Sequence, residues 1–153
     1  MNYLLSRKKQ KFNYRVAAIC IKDKKILLQK SSADDYWYLP GGRVEILETG
    51  EHAIKRILKR ELEINIKVKR LVWLNENLFT LNGINFHEIG FYYDVYSEFD
   101  PCKGNNLVIT NECGLTFVTQ WFSLKELDSL NVKPAFLKNK LTNIPNDIEH
   151  IVV

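Results

Sequence analysis

Two adjacent glycines, Gly41 and Gly42, are followed at fixed spacings by Glu48, Arg56, Arg60 and Glu61. Five residues separate Gly42 from Glu48, and seven separate Glu48 from Arg56. Consecutive glycines free the backbone for turns that a side chain would forbid. Thr49 is a good helix N-cap, and Glu51 would fall in the first turn, where the helix dipole favours negative charge. Ala53, Ile54, Ile57, Leu58 and Leu62 then recur at spacings of three and four, which predicts an amphipathic helix. A glycine turn running into a charged helix is a recurrent way to bind phosphates and metal ions.

Positions 57, 60 and 61 lie three and four residues apart, so they share one face of that helix. The face carries Ile57, Arg60 and Glu61: one apolar group, one guanidinium and one carboxylate. Carboxylate oxygens are the hard ligands that magnesium prefers, and Glu61 would be the sole strong ligand from the helix. Arg60 has two readings. It marks a site that has drifted out of use, or its planar fork grips a diphosphate directly and stands in for missing cation charge.

The elements that must position these residues are legible in outline. Val16–Ile21 (VAAICI) and Ile26–Gln29 are apolar runs joined by a charged turn, a hairpin whose first strand is buried on both faces. Residues 36–39 read as a short strand leading into the glycines. After the helix, 66–74 and 78–80 extend to Asn82-Gly83, a strong hairpin signal, and Ile84–Tyr96 returns, with Gly90 as a bulge. Residues 97–115 read as a loop and 115–122 as a last strand. Ser123 with Glu126 forms a capping box. Pro134 opens a second helical segment over 135–141, and 148–153 is an apolar tail. Strands mixed with a central and a C-terminal helix point to an α/β sandwich.

Composition narrows the class. The 153 residues suit one domain, with 46% apolar and 26% charged residues. Residues 1–12 read as a basic N-terminal arm and 13–153 as a single domain. The net charge of +4 draws on Arg7, Lys8, Lys9 and Lys11 in that arm. No aromatic residues interleave with these charges, so a solvated arm is favoured over a nucleic-acid contact. Cys20, Cys102 and Cys113 are odd in number and show no metal-site spacing. No apolar run has the length of a signal h-region or a membrane span, and a cytoplasmic location is expected. Trp37, Tyr38, Trp73 and Phe79 read as core ahead of base-stacking groups, and His87 as structural ahead of a ligand.

The spacing of glycine, glutamate and arginine resembles the Nudix box of the MutT-like Nudix hydrolases, Gly-x5-Glu-x7-Arg-Glu-apolar-x-Glu-Glu-x-Gly-apolar. Gly42, Glu48, Arg56, Leu58, Glu61 and Ile64 match it, and Leu39-Pro40-Gly41 and Glu45 match its usual surroundings. Ile57 and Arg60 stand where the family has glutamates, and Glu63 where it has a glycine, so the box is degenerate. The segments 87–93, 121–127 and 148–153 are also similar to bacterial Nudix proteins, and the likeness covers nearly the whole chain.

The resemblance implies a three-layer α/β/α sandwich with a mixed central sheet. It implies that Glu48 and Arg56 form a structural ion pair. Glu61 and the Gly41 carbonyl would hold Mg or Mn, weakly if at all, and Gly41, Gly42 and Arg60 would bind the substrate. With Ile57 unable to take a proton, the general base must come from elsewhere. Glu45, Glu88 and Glu112 are available, and Glu88 is preferred, with an outward-facing strand residue as the other reading. Either Glu63 takes the left-handed conformation that the family's glycine would, at about 1 kcal/mol, or the helix runs on and Asn65 makes the stop; the second is preferred. The implied activity is cleavage of the diphosphate linkage of a nucleoside diphosphate joined to another group. The alternative is a non-catalytic sensor module that holds such a molecule. The partner is thus a nucleoside diphosphate-type small molecule, with no membrane association, and a homodimer is left open.

Overall fold

The computed structural model describes residues 6–7, 9–98, 100, 107–110 and 114–153. Cys102, Glu112 and Cys113 lie outside these residues, as do Lys8 and most of the loop expected over 97–115. Two sheets form the middle layer. The larger runs β1-β2-β7-β6-β10, from Ser6–Arg7, Gln10–Ile19, Ile84–Tyr96, Lys67–Leu81 and Glu149–Val152. Strand β5 (Gly41–Arg43) pairs antiparallel with β2. This sheet is mixed: β2 runs parallel to β7, and β10 parallel to β6, whereas β6 and β7 are antiparallel. The smaller sheet runs β3-β4-β9-β8, from Ile21–Lys22, Lys25–Ser31, Thr116–Ser123 and Leu107–Thr110.

Helix α1 (Gly50–Leu62) covers one side. Its apolar stripe, Ala53, Ile54, Ile57 and Leu58, meets Val16, Ala18, Tyr93 and Val95 of the large sheet in one core. Each fully buried side chain of this size contributes roughly 1.5–3 kcal/mol. A second core forms on the opposite side, where Leu127, Val132, Leu137 and Leu141 pack on Ile19, Leu28, Trp73 and Tyr92. The molecule is therefore the α/β sandwich with a mixed sheet that the pattern predicts. Among the described residues, no helix is long and apolar enough to cross a membrane.

Several local expectations are met with altered detail. The charged turn at 22–25 closes β3 onto β4 through Asp23 and Lys24, both at positive φ (53° and 61°). The long β2 does not stay in this hairpin but continues in the large sheet. Asn82 and Gly83, at φ 53° and 75°, join β6 to β7 as the two-residue hairpin expected of Asn-Gly. Gly90 is not a bulge: it pairs regularly with Asn75 and Arg15, and the irregularities fall in β6 at 68–70 and 71–73. Strand β8 lies inside the span read as loop. Residues 36–39 form isolated bridges, Tyr38 to Gln29 and Trp37 to Val132, in place of a strand. The Ser123 side chain caps a 3-10 turn over Leu124–Ser129, and α2 is confined to Leu137–Lys140. The apolar tail forms β10, anchored where Glu149 accepts hydrogen bonds from Trp73 Nε1 (3.0 Å) and Lys140 Nζ (2.9 Å).

The helix stop corrects the expectation. Glu63 itself takes the left-handed conformation (φ 58°), and its N–H reaches the Lys59 carbonyl. Helix α1 thus ends where the family pattern has a glycine, at a cost of about 1 kcal/mol for a residue with a Cβ.

Candidate functional site

A cleft of about 1340 Å³ opens between the two sheets. Strand β2 supplies Arg15 and Ala17, β4 supplies Gln29, and β5 supplies Gly41, Gly42 and Arg43. The end of α1 adds Glu61, and β7 adds Glu88, Gly90 and Tyr92. Asn77 and Phe79 of β6 and the loop residues Asp34, Tyr36, Tyr38 and Lys133 complete the walls. Alternation along β2 explains the division of labour: Val16 and Ala18 face the α1 core, so Arg15 and Ala17 face away from it.

The glycines belong to a strand and not to a turn, which corrects the reason given for them. Neither has a positive φ. A Cβ on Gly41 would lie 2.0 Å from the Val16 carbonyl oxygen, so glycine is required there for close approach of β5 to β2. A Cβ on Gly42 would lie 3.0 Å from Ile57 Cδ1. Ile57 is only 1% exposed. The position that the family pattern fills with a carboxylate is here a core position sealed beneath Gly42.

Glu48 and Arg56 form a bracket. Arg56 donates through Nε (2.7 Å) and Nη2 (3.0 Å) to the two Glu48 oxygens, the bidentate geometry that suits a guanidinium and a carboxylate. Arg56 Nη2 also donates to the Arg43 carbonyl (3.1 Å), and Glu48 accepts from the Glu45 N–H (3.1 Å). The hydrogen bond from Arg56, followed by the one from Glu45, holds the Glu48 carboxyl down at about 2. One ion pair therefore ties β5, the intervening loop and α1 together, as an architectural element.

Glu61 is half-buried at the end of α1. Burial pushes its carboxyl up from the usual range, against the opposing charges of Arg60, Arg15 and Arg56 and a hydrogen bond from Gln29. The Tyr38 hydroxyl beside it is pushed up to about 12, again mainly by burial. Glu88 lies on β7 directly opposite Asn13 of β2 and Asn77 of β6, so the three form a polar row across the sheet. Lys133 stands over the Tyr36 ring at 4.8 Å, and Phe79 stacks on Phe86 with ring centroids 4.8 Å apart.

Of the residues singled out from sequence, the cleft brings together Gly41, Gly42, Glu61 and Glu88. Arg60 is not among them; it is exposed on α1. Tyr38 and Phe79 line the cleft, whereas Trp73 is fully buried and Trp37 packs edge-on against Phe122. His87 lies against the Phe12 ring. Sequence reading missed Arg15, Gln29, Arg43 and Lys133. For Arg15 a signal existed: it is the one charged residue within the stretch Phe12–Ile21.

Among the described residues, no three His, Cys, Asp or Glu side chains cluster as a metal cage. Magnesium commonly needs only one or two protein carboxylates when substrate phosphates and water supply the rest. Glu61 is the one carboxylate that α1 brings to the cleft, a donor that fits one ligand place of an ion whose other places are filled by phosphate and water.

A family model for the NUDIX domain matches residues 11–142. A Caenorhabditis elegans protein named as a nudix hydrolase is 29% identical over 128 residues. That match covers 79% of this chain and 32% of the relative, so the chain spans about a third of the relative's length. Among solved structures, a MutT NUDIX hydrolase from Burkholderia pseudomallei superposes with a TM-score of 0.61 at 21% identity, covering 88% of this chain and 99% of that one. An ADP-ribose pyrophosphatase from Streptococcus suis gives 0.56 at 16% identity, covering 92% and 98%. Both structures share the fold.

Proposed function

We propose, from the premise that this chain belongs to the NUDIX family, that it hydrolyses the diphosphate linkage of a nucleoside diphosphate joined to another group, at a reduced rate. NUDIX hydrolases generally use divalent metal ions. The observation that carries the reading is the placement of Glu61, half-buried in the same cleft as Gly41, Gly42 and Glu88. The ADP-ribose pyrophosphatase activity named for one structural neighbour supports this substrate class.

In this mechanism Arg15 and Arg43 attract the diphosphate, and the closely packed β5 strand forms a rigid wall beside it. Water attacks one phosphorus, and Glu88 accepts the proton that the water releases. The bond from that phosphorus to the bridging oxygen breaks, and the electron pair leaves with the second phosphate. Glu61 and the Gly41 carbonyl would hold a divalent ion that arrives with the substrate, and such an ion would supply neutralising charge on the diphosphate. Exclusion of water falls to Tyr36, Tyr38 and Phe79, whose rings provide the apolar part of the cleft.

The test is Glu61→Gln, followed by release of nucleoside monophosphate from ADP-ribose with magnesium. Activity is expected to fall by about 10–100-fold or more, the loss that disturbing the groups around a metal ion brings. Stability gives an independent readout. A carboxyl raised by burial disfavours folding once it ionises, so the penalty is present above its folded pKa and absent below the ordinary range. Glu61→Gln should therefore raise the melting temperature at pH 7, and the gain should vanish at low pH. Unchanged turnover would refute the role of Glu61.

A second reading, a sensor that holds the nucleotide without cleaving it, is favoured by the sealed position of Ile57. The two separate on one experiment. Thermal stabilisation by ADP-ribose that needs no magnesium and yields no monophosphate supports the sensor. Hydrolysis gained only in the Ile57→Glu, Arg60→Glu double variant marks a lapsed enzyme.

A further inference from the structure

We infer that Arg15 and Arg43 form a two-guanidinium seat for adjacent phosphates, an inference that rests on the diphosphate reading above and names the residues that grip it. The two are direct partners across β2 and β5. Side chains so paired leave the same face of a sheet with Cβ atoms about 4.5–5.5 Å apart. Both line the cleft. Like charges directly opposite one another are destabilising, and an anion lying between them reverses the sign of that interaction. Two planar forks side by side match two neighbouring phosphoryl groups, each offering parallel N–H donors.

Three further features prepare the seat. Gly90 lies directly across the sheet from Arg15 and sets no Cβ beside it; the Tyr92 ring packs over that glycine, with Cε1 3.1 Å from where a Cβ would sit. Arg56 holds the Arg43 carbonyl at 3.1 Å, so the Glu48 bracket fixes the backbone that carries the second guanidinium. Arg15, Arg43, Glu61 and Tyr38 all line the one cleft, so the seat and the carboxylate face the same space. Arg60, the arginine to which the motif points, is exposed on the helix and outside the cleft lining. The compensating charge thus comes from the strands.

The experiment is calorimetric titration with inorganic pyrophosphate and with ADP-ribose, in EDTA and without metal. Wild type should bind both. Arg15→Gln and Arg43→Gln should each weaken pyrophosphate binding about tenfold or more, the loss expected for charge-assisted hydrogen bonds. Arg15→Lys, which keeps the charge and loses the fork, should fall between. Arg43→Gln should not lower the melting temperature of the free protein, because it removes a like-charged neighbour; that separates lost binding from lost folding. Affinity within twofold of wild type in both glutamine variants overturns the seat, as does a loss seen only in Arg60→Gln. If wild type binds ADP-ribose and the arginine variants do so equally well, the seat fails and the function stands. If wild type binds neither ligand in EDTA, the seat fails, and the hydrolase reading is decided separately by magnesium-dependent release of nucleoside monophosphate.

Discussion

Replacing Leu47 by glycine should stabilise this protein, and the size of the effect can be worked from the backbone alone. Leu47 lies in the loop between β5 and α1 at φ 65°, and its side chain is fully exposed. Holding a residue with a Cβ in the left-handed region costs about 1–2 kcal/mol. Glycine removes that strain but makes the unfolded chain freer, which returns about 0.4–1 kcal/mol. No buried apolar surface is lost, so the net gain is about 0.5–1 kcal/mol. For a chain of this length, that corresponds to a rise of about 1–4 °C in melting temperature. Thermal unfolding followed by circular dichroism is sufficient to measure it. Leu47→Ala is the control, since alanine keeps the Cβ and the strain; its melting temperature should stay within about 1 °C of wild type. Leu47→Asn should fall between, because asparagine tolerates this conformation better. Equal shifts for glycine and alanine, or a fall for glycine, would refute the reasoning.

Two other outcomes follow from the same region. The Glu48 carboxyl is held at about 2 against an ordinary 4.5. A depressed carboxyl contributes stability above its unfolded value, and the contribution is lost as pH falls from 4.5 towards 2. Acid titration of the melting temperature should therefore be steeper for wild type than for Glu48→Gln across that window. Gly41→Ala places a Cβ 2.0 Å from the Val16 carbonyl oxygen. It should part β5 from β2 and cost about 2–3 kcal/mol or more, as overpacking against a fixed backbone does; chemical denaturation measures it.

What the sequence discloses and what it hides divide along physical lines. The helix was readable because Thr49 and the spacing of Ala53, Ile54, Leu58 and Leu62 are local signals, and the turn at Asn82-Gly83 for the same reason. The Glu48–Arg56 bracket was expected only through the resemblance to the Nudix box; the spacing alone left two unrelated surface charges open to view. The role of the glycines was not. Gly41 is required by the approach of β2, a strand some twenty-five residues earlier, and no local pattern carries that. The Arg15–Arg43 pair depends on strand register, which the intervening chain sets jointly with the bracket and the core. Strand β8 was hidden because its four residues are placed by long-range contacts, the pairing with β9 and the packing of Leu107 on the α1-side core.

The two lost carboxylates of the helix face did not leave equivalent gaps. Position 60 became a solvated arginine, a change that touches no packing. Position 57 became an isoleucine whose Cδ1 approaches the space a Gly42 side chain would occupy. Gly42 and Ile57 are therefore mutually fitted: enlarging the first would collide with the second, and shrinking the second would leave a void beneath the β5 wall. A glutamate at 57 would have to carry its charge past Gly42 into the cleft, or desolvate it in the core at a cost of several kcal/mol. The isoleucine fills the space beneath Gly42 with an apolar side chain. On the two-arginine proposal, charge recognition falls to the paired strands, where register sets the Cβ positions of Arg15 and Arg43 before any ligand arrives. A diphosphate site of that kind would keep its cationic contacts where metal ligands are missing, and binding should outlast turnover in it.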